Sequence, residues 1–265
     1  MKAKEELKDW IKFLGTAGAR FVVAKQLRSS GGIWLSLKGV NLYLDPGPGA
    51  LVRCLASKPK LDPMKLDGII LSHKHLDHAG DINALIEAMT DGGYRRRGIL
   101  FAPRDALEED PVVLQYVRSY LDKIEVLQEN REYVIKDLRF ATAQKHIHSV
   151  ETYGFNFYLE KLTLSFITDT KFYPQLITQY PGEVLVINVV LLTEPEHPIE
   201  HLSLGDVQNI LKNGRARLVI LTHFGMRMLQ ARPWEIAEKL SQETGRKVIA
   251  ARDGMTLPLD ELLTN

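Results

Sequence analysis

The stretch that decides the fold is Gly68-Ile69-Ile70-Leu71-Ser72-His73-Lys74-His75-Leu76-Asp77-His78-Ala79-Gly80. It begins as a short apolar run, typical of a buried strand, and then places three histidines and an aspartate within six residues. A buried strand that ends in imidazoles and a carboxylate is typical of a scaffold that delivers metal ligands. Histidine and carboxylate suit zinc, manganese or iron, and the lack of cysteine in the stretch argues against a structural zinc site.

Composition excludes several classes of protein. The chain has 265 residues, 45% hydrophobic and 25% charged, which describes an ordinary globular protein able to bury a sizeable core. The net charge of +1 gives no general attraction for nucleic acid. Cys54 is the only cysteine, which excludes an internal disulfide and fits a reducing compartment. The first ten residues lack a signal peptide's apolar core, and no apolar run spans a bilayer, so a cytoplasmic protein without membrane contact is expected.

The remaining apolar runs predict a mixture of strands and helices. Strands are expected at 10–14, 33–37, 40–44, 99–102, 138–143, 155–159, 162–168, 184–192, 217–222 and 247–250. Helices are expected at 50–56, 81–89, 111–121, 203–211 and 233–242. The run 184–192 has the composition of a central strand buried on both faces. A Gly-rich turn at 15–19 is consistent both with a structural turn and with a loop on the substrate side.

The spacing H-x-H-x-D-H, here His73, His75, Asp77 and His78, resembles the signature of the metallo-β-lactamase superfamily. The resemblance implies a four-layer αββα sandwich of the α/β class, with residues 1–265 forming a single domain. It also implies a site that holds two divalent metal ions. Zinc is expected first, although manganese and iron accept the same ligands.

Further residues of ligand type follow apolar strands in the order that the superfamily places them. The resemblance implies that His73, His75 and His148 hold one metal, and that Asp77, His78 and His223 hold the other. Asp169 would bridge both. His148 is preferred to His146 because His148-Ser149 and the following Tyr153-Gly154-Phe155 match the family pattern. Asp45 is interpreted as a residue that orients the ligand loop from beneath.

His201 points to one branch of the superfamily. The segment Glu200-His201-Leu202-Ser203 and the ending Asp253-Gly254-Met255 resemble the branch of ribonuclease Z and the phosphoribosyl cyclic phosphate phosphodiesterases. The resemblance implies catalytic roles for Asp77 and His201. Asp77 would orient a hydroxide held between the metals, and His201 would donate a proton or hydrogen bond to the scissile phosphate or its leaving oxygen. Two features depart from the branch: the interval between His148 and Asp169 is too short for a substrate-gripping arm, and the cysteines of an additional zinc site are missing.

These observations favour a phosphodiesterase that acts on a small cyclic or nucleotide-like phosphodiester. Two alternatives remain open, an armless endonuclease resembling ribonuclease Z and a thioester or lactone hydrolase. The basic run Arg95-Arg96-Arg97, next to Tyr94, is either a solvated loop or a contact for a phosphorylated or polynucleotide substrate. A small phosphorylated substrate is favoured as the partner, with RNA and a homodimer left open.

Overall fold

The computed structural model describes residues 9–108, 110–194, 196–197 and 199–259. In these residues the strands are β1 (Trp10–Phe13), β2 (Ile33–Leu37), β3 (Val40–Leu44), β4 (Gly68–Ile70), β5 (Ile99–Ala102), β6 (Lys123–Val126), β7 (Glu132–Ile135), β8 (Leu138–Thr142), β9 (Phe155–Tyr158), β10 (Thr163–Ile167), β11 (Val184–Asn188), β12 (Leu218–Thr222), β13 (Lys247–Ala250) and β14 (Thr256–Pro258). The helices are α1 (Ala19–Ala24), α2 (Ala50–Ala56), α3 (Leu76–Ala79), α4 (Ile82–Met89), α5 (Gln115–Arg118), α6 (Leu176–Gln179), α7 (Leu204–Asn213), α8 (Met226–Gln230) and α9 (Pro233–Thr244), with 3₁₀ turns at Pro63–Lys65 and Arg104–Ala106.

Two sheets organise the described part of the chain. One has the strand order β14-β1-β2-β3-β4-β5-β6, and the other has the order β13-β12-β11-β10-β9-β8-β7. Strands β3 to β6 are parallel to one another, and so are β10 to β13. Because the carboxyl ends of parallel strands meet at one edge of a sheet, each sheet presents a row of strand ends where polar loops can form a site.

Three apolar layers hold the sheets and helices together. Between the sheets, Phe140 contacts Phe101 edge to face at 5.0 Å between ring centroids and stacks on Phe157 at 5.3 Å. A second cluster joins the outer face of the first sheet to helices α2 and α4, and a third joins the second sheet to α7 and α9. The predicted α/β class and the αββα order of layers are therefore confirmed, while one domain over residues 1–265 stays a prediction.

The predicted helix at 111–121 is wrong over most of its length. In the structure only Gln115–Arg118 is helical, because the side chain of Asn83 binds the preceding backbone. Its Nδ2 donates to the carbonyl of Val112 at 2.8 Å, and its Oδ1 accepts from the amide of Leu114 at 2.9 Å. A side-chain amide that binds these backbone groups competes with the hydrogen bonds of a continuous helix.

None of the helices in the described ranges combines the length and the apolar composition needed to cross a membrane.

Candidate metal centre

The organising stretch brings four side chains of ligand type to the carboxyl end of β4. His73 lies in the loop after the strand and is fully buried, His75 precedes helix α3, and Asp77 and His78 lie on that helix. Asp169 follows β10 and His223 follows β12, so both come from the other sheet. The two rows of strand ends therefore meet across the top of the sandwich.

Asp169 lies at the centre of this group. Its Oδ2 is 3.3 Å from Nε2 of His223 and 3.4 Å from Nε2 of His78. The same oxygen is 3.8 Å from Nε2 of His73 and 3.6 Å from Nδ1 of His201. One carboxylate oxygen thus faces four imidazoles, as expected of a residue between two cation sites.

The ligand-type residues form three overlapping groups whose potential ligand atoms lie within 4.8 Å of one another: His73, His75 and His148; His73, His78 and Asp169; and Asp77, His78 and His223. The shortest distances are those expected of a coordination shell. Nε2 of His148 lies 3.1 Å from Nδ1 of His75, and Nε2 of His223 lies 3.6 Å from Oδ2 of Asp77. Tetrahedral zinc with ligands at 2.0–2.1 Å separates its ligand atoms by roughly 3.3 Å.

Several imidazole nitrogens of the centre are buried and lack a hydrogen-bond partner, which shows whether the ligand-type residues fit a metal. Nε2 of His73, His78 and His223 and Nδ1 of His201 are buried and have no hydrogen-bond partner. A buried polar atom without a partner costs about 1–3 kcal/mol, and four such atoms pointing at one carboxylate are unusual in a folded protein. Bound cations would satisfy the three Nε2 atoms, so His73, His78 and His223 fit a pair of divalent metals.

Asp45 orients the ligand loop from beneath. Its Oδ2 accepts the hydroxyl of Ser72 at 2.7 Å and Nδ1–H of His78 at 3.0 Å, and its Oδ1 accepts the amide of Ser72 at 2.7 Å. Oγ of Ser72 lies 3.0 Å from Nδ1 of His73 and, as it donates to Asp45, accepts a hydrogen from that nitrogen. Both histidines therefore carry their proton on Nδ1, which leaves Nε2 free to bind a metal.

The structure brings His148, and not His146, beside His73 and His75. Nδ1 of His148 lies 3.0 Å from the carbonyl of Glu200 and donates to it, which leaves Nε2 without a proton on the inner side, 3.1 Å from Nδ1 of His75. His146 is buried, with Nε2 2.7 Å from the hydroxyl of Tyr180 and Nδ1 3.2 Å from the carbonyl of Asp169. His146 thus supports the backbone of Asp169 and has no nitrogen free for a metal.

Burial and neighbouring charges shift the pKa values of the centre in opposite directions. Burial lowers the pKa of His73 well below its ordinary value and lowers the pKa of His148 to about 4. Burial raises the pKa of Asp169, but the neighbouring imidazoles outweigh this effect and hold the pKa well below its usual range. His78 is the exception, since three carboxylates outweigh burial and hold its pKa well above the ordinary value. A carboxylate of lowered pKa between these imidazoles favours the binding of a cation.

The Gly-rich turn at 15–19 supports His223. The amide of Phe224 donates to the carbonyl of Thr16 at 2.9 Å, and the amide of Gly18 donates to the carbonyl of Phe224 at 3.0 Å. A Cβ on Gly18 would lie 2.1 Å from the carbonyl oxygen of His223, so only glycine allows this approach. His223 itself has a left-handed backbone, with φ of 59°. Of the two interpretations of the turn, the structural one fits, and the contacts hold His223 in a conformation that costs about 1–3 kcal/mol.

The ending Asp253-Gly254-Met255 secures that turn from the other side. Oδ1 of Asp253 accepts the hydroxyl of Thr16 at 2.7 Å, and its Oδ2 accepts the amide of Ser29 at 2.8 Å. The guanidinium of Arg53 also lies 3.3 Å from Oδ2. Asp253 therefore acts on the metal centre only through the backbone that holds His223.

His201 lies at the open side of the centre. Its side chain is 19% exposed, and its ring centroid lies 5.2 Å from that of His148. The loop that carries it is fixed by hydrogen bonds of Leu191 to Leu202 and Leu204 and by the capping box of Ser203 and Asp206 at the start of α7. Burial lowers the pKa of His201.

Sequence reasoning missed Asn188, which ends β11. Its Nδ2 donates to Oδ1 of Asp169 at 2.9 Å. The signal was present, since Asn188 is a polar residue that closes an aliphatic run, as Asp169 and His223 do. The interpretation of 184–192 as one continuous strand hid it.

The structure does not bring Arg95, Arg96 and Arg97 to the centre, which argues against the interpretation of this run as a contact for substrate there. The guanidinium of Arg97 donates to the carbonyls of Met64 and Leu66, which precede β4, and Nε of Arg96 donates to the carbonyl of Leu121. Strands β4, β5 and β6 are parallel, so residues before them lie at the edge opposite the histidines. Leu66 and His73 are separated by up to roughly 20 Å of extended chain.

Comparison with known proteins identifies the family. The model of a β-lactamase superfamily domain matches residues 40–224. The chain belongs to the β-lactamase superfamily. Like the superfamily members it resembles, it is a metal-dependent hydrolase. An uncharacterised protein of Methanocaldococcus jannaschii is 31% identical over 258 residues, covering 94% of both chains. Ribonuclease Z of Borreliella afzelii is 21% identical, covering 93% of this chain and 96% of the relative.

Solved structures of this superfamily share the fold. The metallo-β-lactamase fold protein YhfI from Bacillus subtilis superposes with a TM-score of 0.78 at 18% identity, covering 94% of this chain and 98% of that protein. A diphosphatase from the PhnP family superposes with a TM-score of 0.68 at 18% identity, covering 94% and 97%. Similarity at this level of identity supports the four-layer architecture of the β-lactamase superfamily.

Proposed function

We propose that this chain is a dinuclear metal-dependent phosphodiesterase that acts on a small cyclic or nucleotide-like phosphodiester. The observation that carries the proposal is His201. It is additional to the residues that complete the two metal-binding sets, and its buried Nδ1 lacks a partner only 3.6 Å from Oδ2 of Asp169. An imidazole at this place can reach the scissile group of a substrate bound at the centre.

The ligand-type residues would form two metal-binding sets that share Asp169. His73, His75 and His148 would hold one metal, Asp77, His78 and His223 the other, and Oδ2 of Asp169 would serve both. Bound divalent metals would supply an activated water and would offset the charge that develops on the phosphoryl oxygens.

Two side chains of this chain then act on the substrate and the attacking water. Asp77 orients the water by accepting a hydrogen bond from it. His201 donates a hydrogen bond to the scissile phosphate or a proton to its leaving oxygen. A positioned acid of this kind typically contributes about 10²–10⁴ in rate.

Several observations favour a small substrate. The interval between His148 and Asp169 contains only the loop before β9, the β9–β10 hairpin and the residues that lead to Asp169, with no arm that could clamp a folded RNA. The arginine run lies at the far edge of the sheet, and the net charge is near zero. A diphosphatase of the PhnP family shares the fold, which is consistent with a phosphorylated substrate.

An RNA endonuclease is the second candidate. The similarity to ribonuclease Z of Borreliella afzelii along nearly the whole chain favours it. The alignment with this ribonuclease Z extends over 318 positions, more than the 265 residues of this chain. The ribonuclease Z therefore contains segments that this chain lacks.

One panel of substrates separates these functions. Zinc-loaded protein, protein stripped with a chelator and protein reloaded with zinc are assayed with bis(p-nitrophenyl) phosphate, 2′,3′-cyclic nucleotides, precursor transfer RNA, a thioester and a lactone. We expect metal-dependent turnover of the small phosphodiesters, and we expect Asp169→Ala to lose both metal and turnover.

Efficient cleavage of precursor transfer RNA with negligible turnover of small phosphodiesters would move the assignment to the endonuclease. Faster turnover of the thioester or lactone would move it to carboxyl-ester chemistry. Full occupancy by two metals in Asp169→Ala would overturn the ligand assignment.

A further inference from the structure

Asn188 holds one of the two oxygens of Asp169. The strand β11 lies between β10 and β12, which lead to Asp169 and to His223, and Asn188 is its last residue. Its register partner on β12 is Thr222, the residue before His223. From this position its Nδ2 donates to Oδ1 of Asp169 at 2.9 Å.

The two oxygens of Asp169 therefore have different surroundings. Oδ1 is bonded to Asn188, while Oδ2 faces His73, His78, His201 and His223 at 3.3–3.8 Å. Without a donor at Oδ1 the carboxylate could rotate and present both oxygens to the centre, or neither. The side chain is almost fully buried, with 2% exposed, so water is a poor substitute for the amide.

The backbone of Asp169 is supported separately. Nδ1 of His146 lies 3.2 Å from the carbonyl of Asp169, and His146 is itself held by Tyr180. This contact fixes where the residue lies but leaves the torsion of the carboxylate free. The amide of Asn188 restrains that torsion through its hydrogen bond to Oδ1.

We propose that Asn188 is the positioning residue of this metal centre: it holds Oδ1 of Asp169 so that Oδ2 alone is presented to both metals. The inference rests on the proposed function, since it takes Asp169 as the shared ligand. Residues that orient a metal ligand typically change metal affinity 10–100-fold when they are replaced.

The test compares zinc binding by four proteins. Asn188→Leu removes the donor and keeps a similar volume, whereas Asn188→Asp keeps the shape and places a second carboxylate against Oδ1. Asn156→Leu is the matched control, because Asn156 is another side-chain amide of this sheet, although it is buried and Asn188 is half-buried. Asn156 accepts the hydroxyl of Ser165 at 2.5 Å and donates to Gln179 at 2.9 Å, away from the metal ligands.

Zinc stoichiometry is measured by mass spectrometry and zinc affinity by competition with a chromophoric chelator, with thermal unfolding recorded for each protein. We expect the native chain to bind two zinc ions, and both Asn188 variants to bind at least one of them 10–100-fold more weakly. We expect Asn156→Leu to unfold at a lower temperature but to bind zinc as the native chain does.

Native-like zinc affinity in both Asn188 variants would overturn the inference, and so would an equal loss of affinity in Asn156→Leu. If the native chain binds two zinc ions and the Asn188 variants lose affinity, but no phosphodiester is hydrolysed, the proposed function fails and the inference stands. If the native chain does not bind two metals, both fail.

Discussion

Oδ2 of Asp45 accepts a hydrogen bond from Nδ1 of His78 at 3.0 Å and another from the hydroxyl of Ser72 at 2.7 Å. Through Ser72 the same carboxylate also fixes His73. One residue of the first sheet therefore orients an imidazole in each of the two predicted metal sites. Its backbone is left-handed, with φ of 56°, a conformation that aspartate and asparagine tolerate better than most residues.

We expect Asp45→Asn to weaken zinc binding about 10–100-fold, because the neutral amide holds Nδ1–H of His78 less strongly. Asparagine keeps the left-handed backbone, so the fold is retained. Zinc affinity is measured by chelator competition. Asp67→Asn is the control, since Asp67 accepts the amide of Asn41 at 3.0 Å at the opposite end of the same sheet. Equal affinity in the native chain and Asp45→Asn would contradict the role of Asp45.

We expect His201→Ala to keep two metals and to lose about 10²–10⁴ in turnover of a small phosphodiester. The reason is that His201 is additional to the two metal-binding sets. Turnover and zinc content are measured on the same preparation. Ile199→Ala changes an exposed apolar residue of the same loop and should retain both. If His201→Ala loses its metals, His201 is a ligand and the assignment of the sites must change.

We expect Arg97→Ala to lower the free energy of unfolding by about 1–3 kcal/mol, because its guanidinium holds two backbone carbonyls. Its effect on kcat/KM for a small phosphodiester should be negligible. Arg95→Ala removes only an exposed ion pair with Asp91 and should cost about 0–1 kcal/mol. Urea unfolding and steady-state kinetics measure the two effects. A large loss of kcat/KM at unchanged stability in either variant would show that the arginine run contacts the substrate.

We expect Cys54 to resist alkylation in the native protein. The residue is fully buried, and burial raises the pKa of its thiol to about 12. At pH 8 only about one thiol in 10⁴ would be ionised, and the thiolate is the reactive form. Incubation with iodoacetamide, read by mass spectrometry, should label the chain in denaturant but not in buffer. Complete labelling within minutes in buffer would show that the region around α2 opens readily.

Parts of the site were predictable because their signals are local. Four residues of ligand type lie within six positions after an apolar strand: His73, His75, Asp77 and His78. Their assignment to a metal site therefore needs no knowledge of distant contacts. Asp169 and His223 carry a similar signal, an aliphatic strand that closes in a polar residue. The same pattern at Asn188 was overlooked because the aliphatic run continues beyond it.

Other parts depend on contacts that lie far apart in the sequence. The helix predicted at 111–121 is interrupted by the side chain of Asn83, which no local pattern around residue 111 reveals. A substrate contact was one of two interpretations of the arginine run, because the run is compact, basic and next to an aromatic residue. Only the parallel arrangement of β4, β5 and β6 puts it at the opposite edge of the sheet.

The sequence by itself determined a mixture of strands and helices, the family signature and the residue types able to bind metal, because strand periodicity and the spacing of ligands are properties of short segments. The αββα order of layers was implied by the resemblance that this signature carries. The tertiary structure decided which of His146 and His148 faces the centre, what holds each ring, and where the basic run lies. These depend on the pairing of strands from two sheets and on single hydrogen bonds such as that of Asn188 to Asp169. Such contacts join residues that are distant in the sequence and form only when the chain folds. No single segment of the sequence therefore predicts their geometry.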